Sequence, residues 1–172
     1  MRVERTFAFV DVSGFTRFGD VQGDDEAVEV LHGFRTVVRD TVSDFGIRVA
    51  KWLGDGAMFV GVDGDQLVEA VLNVRRSLEK TPNQLPMHAG IARGPVIVFE
   101  GDDYIGSAIN VAARLCDQAA PWEVLIEASD RELVPDWVDI QDAGARELPG
   151  LAQPVAALRL VDPSTAPIRP RY

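Results

Sequence analysis

Cysteine is nearly absent: Cys116 is the only one in 172 residues, so no disulfide can form within the chain. No apolar run is long enough to span a membrane. Clusters of Lys and Arg are missing too, and 17 basic residues against 27 acidic ones leave a net charge of −10. Nucleic-acid grooves and anionic membrane surfaces are bound through clustered cations, so neither is expected as a partner. The opening segment "MRVERTF" lacks the apolar core of a signal peptide, and there is no internal repeat or low-complexity block. These absences predict a cytoplasmic protein with a reduced thiol.

What is present is enough apolar material for a core: 47% of residues are hydrophobic and 26% charged, at a length that suits one globular domain. Periodicity predicts a strand in "RTFAFVDV" and a helix in "DDEAVEVLHGFRTVVRDTVSDF" with an apolar stripe through Val28, Leu31, Phe34, Val38 and Val42. "GIRVAKWL" and "AMFVGV" read as strands around "GDG", because Asp-Gly suits tight hairpin turns. A helix over "DQLVEAVLNVRRSLEK" ends at "TPNQLP", and two strands follow, "MHAGIARG" and "PVIVFE". After a loop at "GDDYIG", "SAINVAARLCDQA" reads as a helix N-capped by Ser107. "EVLIE", "WVDIQDAG" and "VAALRL" close the sheet, and the Pro-rich tail at 161–172 is expected to fray beyond a domain at 1–160. The succession predicts an α+β fold with a ferredoxin-like, palm-type β-sheet and helices on one face.

Three groups of charges stand out against this pattern. Asp11 closes an apolar strand just before Ser13-Gly14, where a turn exposes its carboxylate; taken alone, it is explained by the turn. Asp55 is likewise explained by its hairpin. Together, on neighbouring strands, the two carboxylates suit divalent cations about 3.5–4 Å apart that clamp a polyphosphate. Lys51 stands four residues before Asp55 among Val49, Ala50, Trp52 and Leu53, where an ammonium group needs a carboxylate, a ligand or a route to water. Asn110 and Arg114 lie four apart on one helix face, which is either an ordinary solvated face or a polar claw for phosphate.

"FVDVSGFT", "KWLGDG" and "DYIGSAINVAARL", in that order, resemble the class III nucleotidyl cyclase catalytic domain of the adenylate cyclase type, over residues 7–160. The resemblance implies metal binding by Asp11, the Val12 carbonyl and Asp55, with two Mg²⁺ or Mn²⁺ ions as cofactors. It implies that Lys51 and Asp103 read the purine, Asp103 rather than Asp102 because it keeps the seven-residue interval to Asn110. Lysine donating to N1 and aspartate accepting from the N6 amino group match ATP rather than GTP. Asn110 and Arg114 match the transition-state residues, and His32 and His88 are expected to be structural. The implied product is cyclic AMP, formed in sites shared across a head-to-tail homodimer, so that Lys51 and Asp55 of one hairpin serve different sites. The rival reading is a silent ATP-binding regulatory partner. Where the family often carries basic triphosphate contacts this chain has Pro95 and Pro149, with Arg93 or Arg146 as candidate substitutes.

Overall fold

Strand β1 (Arg2–Val12) has hydrophobic side chains on both faces, so each face must be covered. In the computed structural model, which describes residues 1–165, Ala8, Val10 and Val12 point into one apolar layer and Phe7 into another. Helices α1 (Phe15–Gln22) and α2 (Asp24–Ser43) follow, then strands β2 (Arg48–Leu53) and β3 (Gly56–Gly61), helix α3 (Gly64–Lys80) and strand β4 (Met87–Phe99). These strands lie in the order β2-β3-β1-β4 with antiparallel pairing throughout, the ferredoxin-like arrangement expected. Strand β5 (Asp103–Ile105) folds back on β4, and helix α4 (Ser107–Gln118) leads to β6 (Val124–Glu127), parallel to β4. A short 3₁₀ turn at Ala128–Leu133, then β7 (Asp139–Arg146) and β8 (Val155–Val161), extend the sheet.

The expected single helical face holds for α2 and α3, whose Phe34, Val38, Leu67 and Val71 pack with Ala8 and Val10. Burial of each such side chain contributes about 1.5–3 kcal/mol. Helix α4 covers the other face, placing Ala108, Val111, Ala112 and Leu115 against Phe7, Ala92 and Leu125. It comes very close at Gly90: a Cβ there would meet the Ala112 carbonyl oxygen and the Cys116 amide nitrogen at 2.3 Å. Only glycine lets the helix backbone lie on the strand in this way.

Several local readings change. Helix α1 was not expected; none of its residues is fully buried, although Phe15 packs partly against the core. The buried stripe of α2 runs through Ala27, Val30, Phe34, Val38 and Val42, and Val28 is 62% exposed, because α1 packs on the first turns and Ala27 faces Gly19. β4 is one strand, not two. Pro95 falls between the stretches that pair with β6 (residues 89–91) and β5 (residues 97–99), where a missing N–H is tolerated. The "GDDYIG" loop contains β5, and Gly106, not Ser107, caps α4 without a side-chain bond. The start of the tail is anchored, since buried Asp162 accepts from Arg76 Nη2 at 2.6 Å and from the Ser164 amide at 2.9 Å. The expected fraying from residue 166 on lies outside the described residues.

Gly90→Ala is expected to destabilise the fold by about 1–3 kcal/mol, because both opposing atoms are backbone and α4 must shift as a unit. Chemical denaturation would detect this as a lowered midpoint; an unchanged midpoint would show that α4 does not rest on β4 as described.

Candidate functional site

Asp11 ends β1 and Asp55 occupies the turn between β2 and β3, and the register sets Asp11 beside Gly56. The Val12 amide donates to the Asp55 carbonyl at 3.0 Å, which binds the turn to the end of the strand. Gly56 has no room for a side chain, since a Cβ would meet Asp11 Oδ1 at 2.8 Å. Burial first, and then the facing Asp55 carboxylate, raise the Asp11 pKa from 3.8 to about 6. Two carboxylates thus face one another at this strand end, an arrangement that suits a cation. Among the described residues no group of three or more His, Cys, Asp or Glu stands ready as a full ligand cage. Two carboxylates without a cage fit Mg²⁺-like ions that bring water or substrate oxygens as further ligands.

Arg114 borders the same cleft of about 340 Å³ as Asp11 and Asp55. Its Nη1 donates to Asp117 Oδ2 at 3.2 Å, and both side chains are largely exposed, so the tie is weak. Asn110 stands one turn earlier on α4 and is exposed. Neither Asn110, Lys51 nor Asp103 lines this cleft.

Lys51 and Asp103 instead form an ion pair between β2 and β5, and the Asp103 bond raises the Lys51 pKa. Lys51 therefore has a carboxylate partner within its own chain. Next to this pair Arg48 Nη2 donates to the Tyr104 hydroxyl at 3.1 Å, and Tyr104 meets Phe7 edge-on at 5.4 Å between ring centres.

His88 is closer to the site than its structural label implied. It is the cross-strand partner of Asp11, with Nε2 at 3.6 Å from Asp11 Oδ2, while Nδ1 lies 2.7 Å from the Cys116 carbonyl oxygen. A carbonyl only accepts, so Nδ1 carries the proton. The sequence signal for this was the β1–β4 register, which requires knowing the pairing. Arg93, a candidate phosphate contact, is engaged elsewhere: Glu132, Glu4 and Asp130 surround its guanidinium. Arg146 Nε donates to the Ala143 carbonyl of its own strand at 3.0 Å.

No family model matches the chain. An uncharacterized protein of Mycobacterium tuberculosis is 34% identical over 154 residues, covering 90% of this chain and 40% of that protein. A pH-sensitive adenylate cyclase of the same organism is 31% identical over 160 residues, with 90% and 40% covered. The chain thus spans well under half the length of these relatives. Among solved structures, the adenylyl cyclase CyaB of P. aeruginosa superposes with a TM-score of 0.82 at 24% identity, covering 94% of this chain and 95% of that one. The catalytic core of a rhodopsin-guanylyl cyclase with converted specificity, in complex with ATPαS, superposes at 0.84 with 16% identity, covering 94% and 97%.

The raised Asp11 pKa has a direct consequence for stability. Its folded value of about 6 lies above the unfolded 3.8, so the ionised carboxylate destabilises the metal-free fold. That cost is complete above about pH 6 and vanishes as the pH falls below 3.8. Asp11→Asn is expected to melt above wild type in chelator at neutral pH, by about 2 °C given that the Asp11 side chain is 41% exposed, and the gap closes on acidification through that window. Thermal unfolding across pH checks this; a gap independent of pH would contradict the buried-charge account.

Proposed function

We propose, from the premise that the chain belongs to the class III adenylyl/guanylyl cyclase domain family, that it converts ATP to 3′,5′-cyclic AMP and pyrophosphate. The observation that carries the reading is the presence, in one fold, of a converging carboxylate pair, Asp11 and Asp55, and a separate Lys51–Asp103 pair. The second pair fits the adenine edge: Lys51 donates to N1 and Asp103 accepts from the N6 amino group, whereas guanine offers a donor at N1 and an acceptor at O6.

Asp11, Asp55 and the Val12 carbonyl are the ligands proposed for two Mg²⁺ or Mn²⁺ ions, which when bound make the ribose 3′-hydroxyl more acidic and offset the charge of the β- and γ-phosphates. The 3′-oxygen attacks the α-phosphorus in line and pyrophosphate leaves. Arg114 offers a fixed fork of donors to the charge growing on the α-phosphoryl oxygens, and Asn110 donates to a ring or bridging oxygen. With Pro95 and Pro149 at the places of basic contacts, the triphosphate finds donors at the start of α1. The N-cap of that helix, Gly14 with φ +71°, stands two residues after Val12, and the helix has neither a side-chain cap bond nor an acidic first turn.

The two pairs are kept apart within one chain, and a two-fold homodimer joins the carboxylates of one protomer to the purine readers of its partner. Ile97, Phe99 and Ile105 support such an interface: they lie on the β4–β5 ribbon with 38%, 48% and 56% exposure, and Ile97 pairs directly with Ile105. One observation favours a second reading for a single residue. Arg114 borders the cleft of its own Asp11 and could serve that site in cis. Among the described residues no helix is long and apolar enough to cross a membrane.

Purified protein is expected to form cyclic AMP from ATP with Mn²⁺ and to stop in chelator. Lys51→Glu with Asp103→Ser should depress ATP turnover and raise relative GTP use, since adenine then faces unpaired polar groups. Chromatography of the products reads both; a protein that turns over neither nucleotide is the silent regulatory partner instead.

The shared site is tested by mixing inactive protomers. In Asp11→Ala with Asn110→Ala heterodimers one site carries both lesions and the other none. With random exchange half the dimers are mixed, so activity returns to about a quarter of wild type. Failure to recover, with exchange verified by labelling, places Asn110 in the site of its own chain. Asp11→Ala mixed with Arg114→Ala decides Arg114 alone: recovery puts it in trans, no recovery in cis.

A further inference from the structure

The turn that carries Asp55 is held from outside the site. Arg35 and Arg39 lie four apart on α2 and so share one face of that helix. Both guanidinium carbons stand 5.0 Å from the centre of the Trp52 ring, on the strand that leads into the turn. Arg35 reaches further: its Nη2 donates to the Gly54 carbonyl at 3.1 Å, across nineteen residues of sequence. Among the described residues its buried Nε has no hydrogen-bond acceptor, and the guanidinium is held by the Trp52 ring and the Gly54 carbonyl.

Gly54 sits at φ +63°, a conformation that fits glycine and lets the chain reverse directly before Asp55. The two peptide groups that flank the Asp55 backbone are therefore both bonded. The Gly54 carbonyl, before it, accepts from Arg35. The Asp55 carbonyl, after it, accepts from the Val12 amide at 3.0 Å. With both planes fixed, the backbone sets the direction in which the Asp55 side chain leaves the turn, toward Asp11.

We infer that Arg35 is a positioning residue: it clasps the β2–β3 turn from α2 and fixes Asp55 against Asp11, and so sets how tightly the site binds a divalent cation. It touches neither substrate nor cation. Arg39 shares the stacking on Trp52 without the carbonyl bond, which makes it the internal control. The inference rests on the proposed role of Asp55 only for its cation readout.

Arg35→Ala, Arg35→Lys and Arg39→Ala are compared with wild type in two assays. Hydrogen exchange of the Val12 amide, followed by NMR in the metal-free protein, reports the turn itself. Arg35→Ala should lower its protection about tenfold, Arg35→Lys should restore part of it through one ammonium donor, and Arg39→Ala should leave it within about twofold. Mn²⁺ titration followed by EPR of the free ion, with a non-hydrolysable ATP analogue present, should show affinity weakened by about 10–100-fold in Arg35→Ala alone, the usual range for loss of a group that orients a metal ligand. Equal effects of Arg35→Ala and Arg39→Ala in the exchange assay would mean that stacking on Trp52 is the whole role, and would overturn the inference. So would unchanged Val12 protection in Arg35→Ala. A wild-type protein that binds no Mn²⁺ overturns the cation reading of Asp11 and Asp55, while the exchange result still decides the clasp.

Discussion

The site depends on how closely α4 can approach β4. At Gly90 the helix backbone lies directly on the strand, with no side chain between them. That contact fixes both the height and the rotation of α4, because a helix resting on its own backbone has little freedom to roll. The hydrogen bond from His88 Nδ1 to the Cys116 carbonyl, two residues before Gly90 on the same strand, adds a second point of attachment. The same imidazole reaches Asp11 with its other nitrogen. One short segment of β4 thus ties the helix that carries Asn110 and Arg114 to the strand end that carries Asp11. Misplacing α4 by even an ångström would act on both.

Electrostatics explain why the arrangement is poised and not relaxed. The chain carries a net charge of −10 and is proposed to handle a polyanion, so attraction cannot come from overall charge. It must come from local sources. Among the described residues Arg114 pairs with the solvent-exposed Asp117, a contact weak enough to exchange for a phosphoryl oxygen. The start of α1 presents backbone donors without a competing carboxylate in its first turn. Burial first, and then repulsion from Asp55, raise the Asp11 pKa, and the cation proposed there would relieve both. Arg93 makes the contrast plain. Surrounded by Glu4, Asp130 and Glu132, it is a structural cation with no charge left to offer a ligand.

What the sequence made legible follows from what periodicity and spacing can encode. The ferredoxin-like order was readable because the long strands and helices carry their own hydrophobic period. Lys51 meets the Asp103 carboxylate, but it also has a route to water, since β2 is the edge strand and the side chain is half exposed. Features without a period were hidden. Helix α1 has no fully buried residue, β5 is three residues long, and the phase of the α2 stripe shifted because contact with α1 favours the small Ala27 over the larger Val28. His88 was hidden for another reason: its proximity to Asp11 is a matter of strand pairing, and pairing is a property of the sheet. Arg35 was invisible for the same reason, since nothing in a helix sequence shows which carbonyl its side chain will meet.

The hairpin around Asp-Gly combines these levels. Its turn needs glycine at Gly54 for φ and at Gly56 for the space beside Asp11, so two positions are set by backbone geometry before any chemistry is considered. Asp55 is then held between a bond from α2 and a bond from β1. Lys51, four residues earlier and past the irregularity in the β2–β3 register at Val49–Lys51, turns to β5 instead. That irregularity frees one strand to present its charge to a different neighbour from the one its turn serves. A single hairpin can therefore aim an ammonium and a carboxylate at separate places. In the two-fold dimer proposed, those separate places would form the two halves of one site.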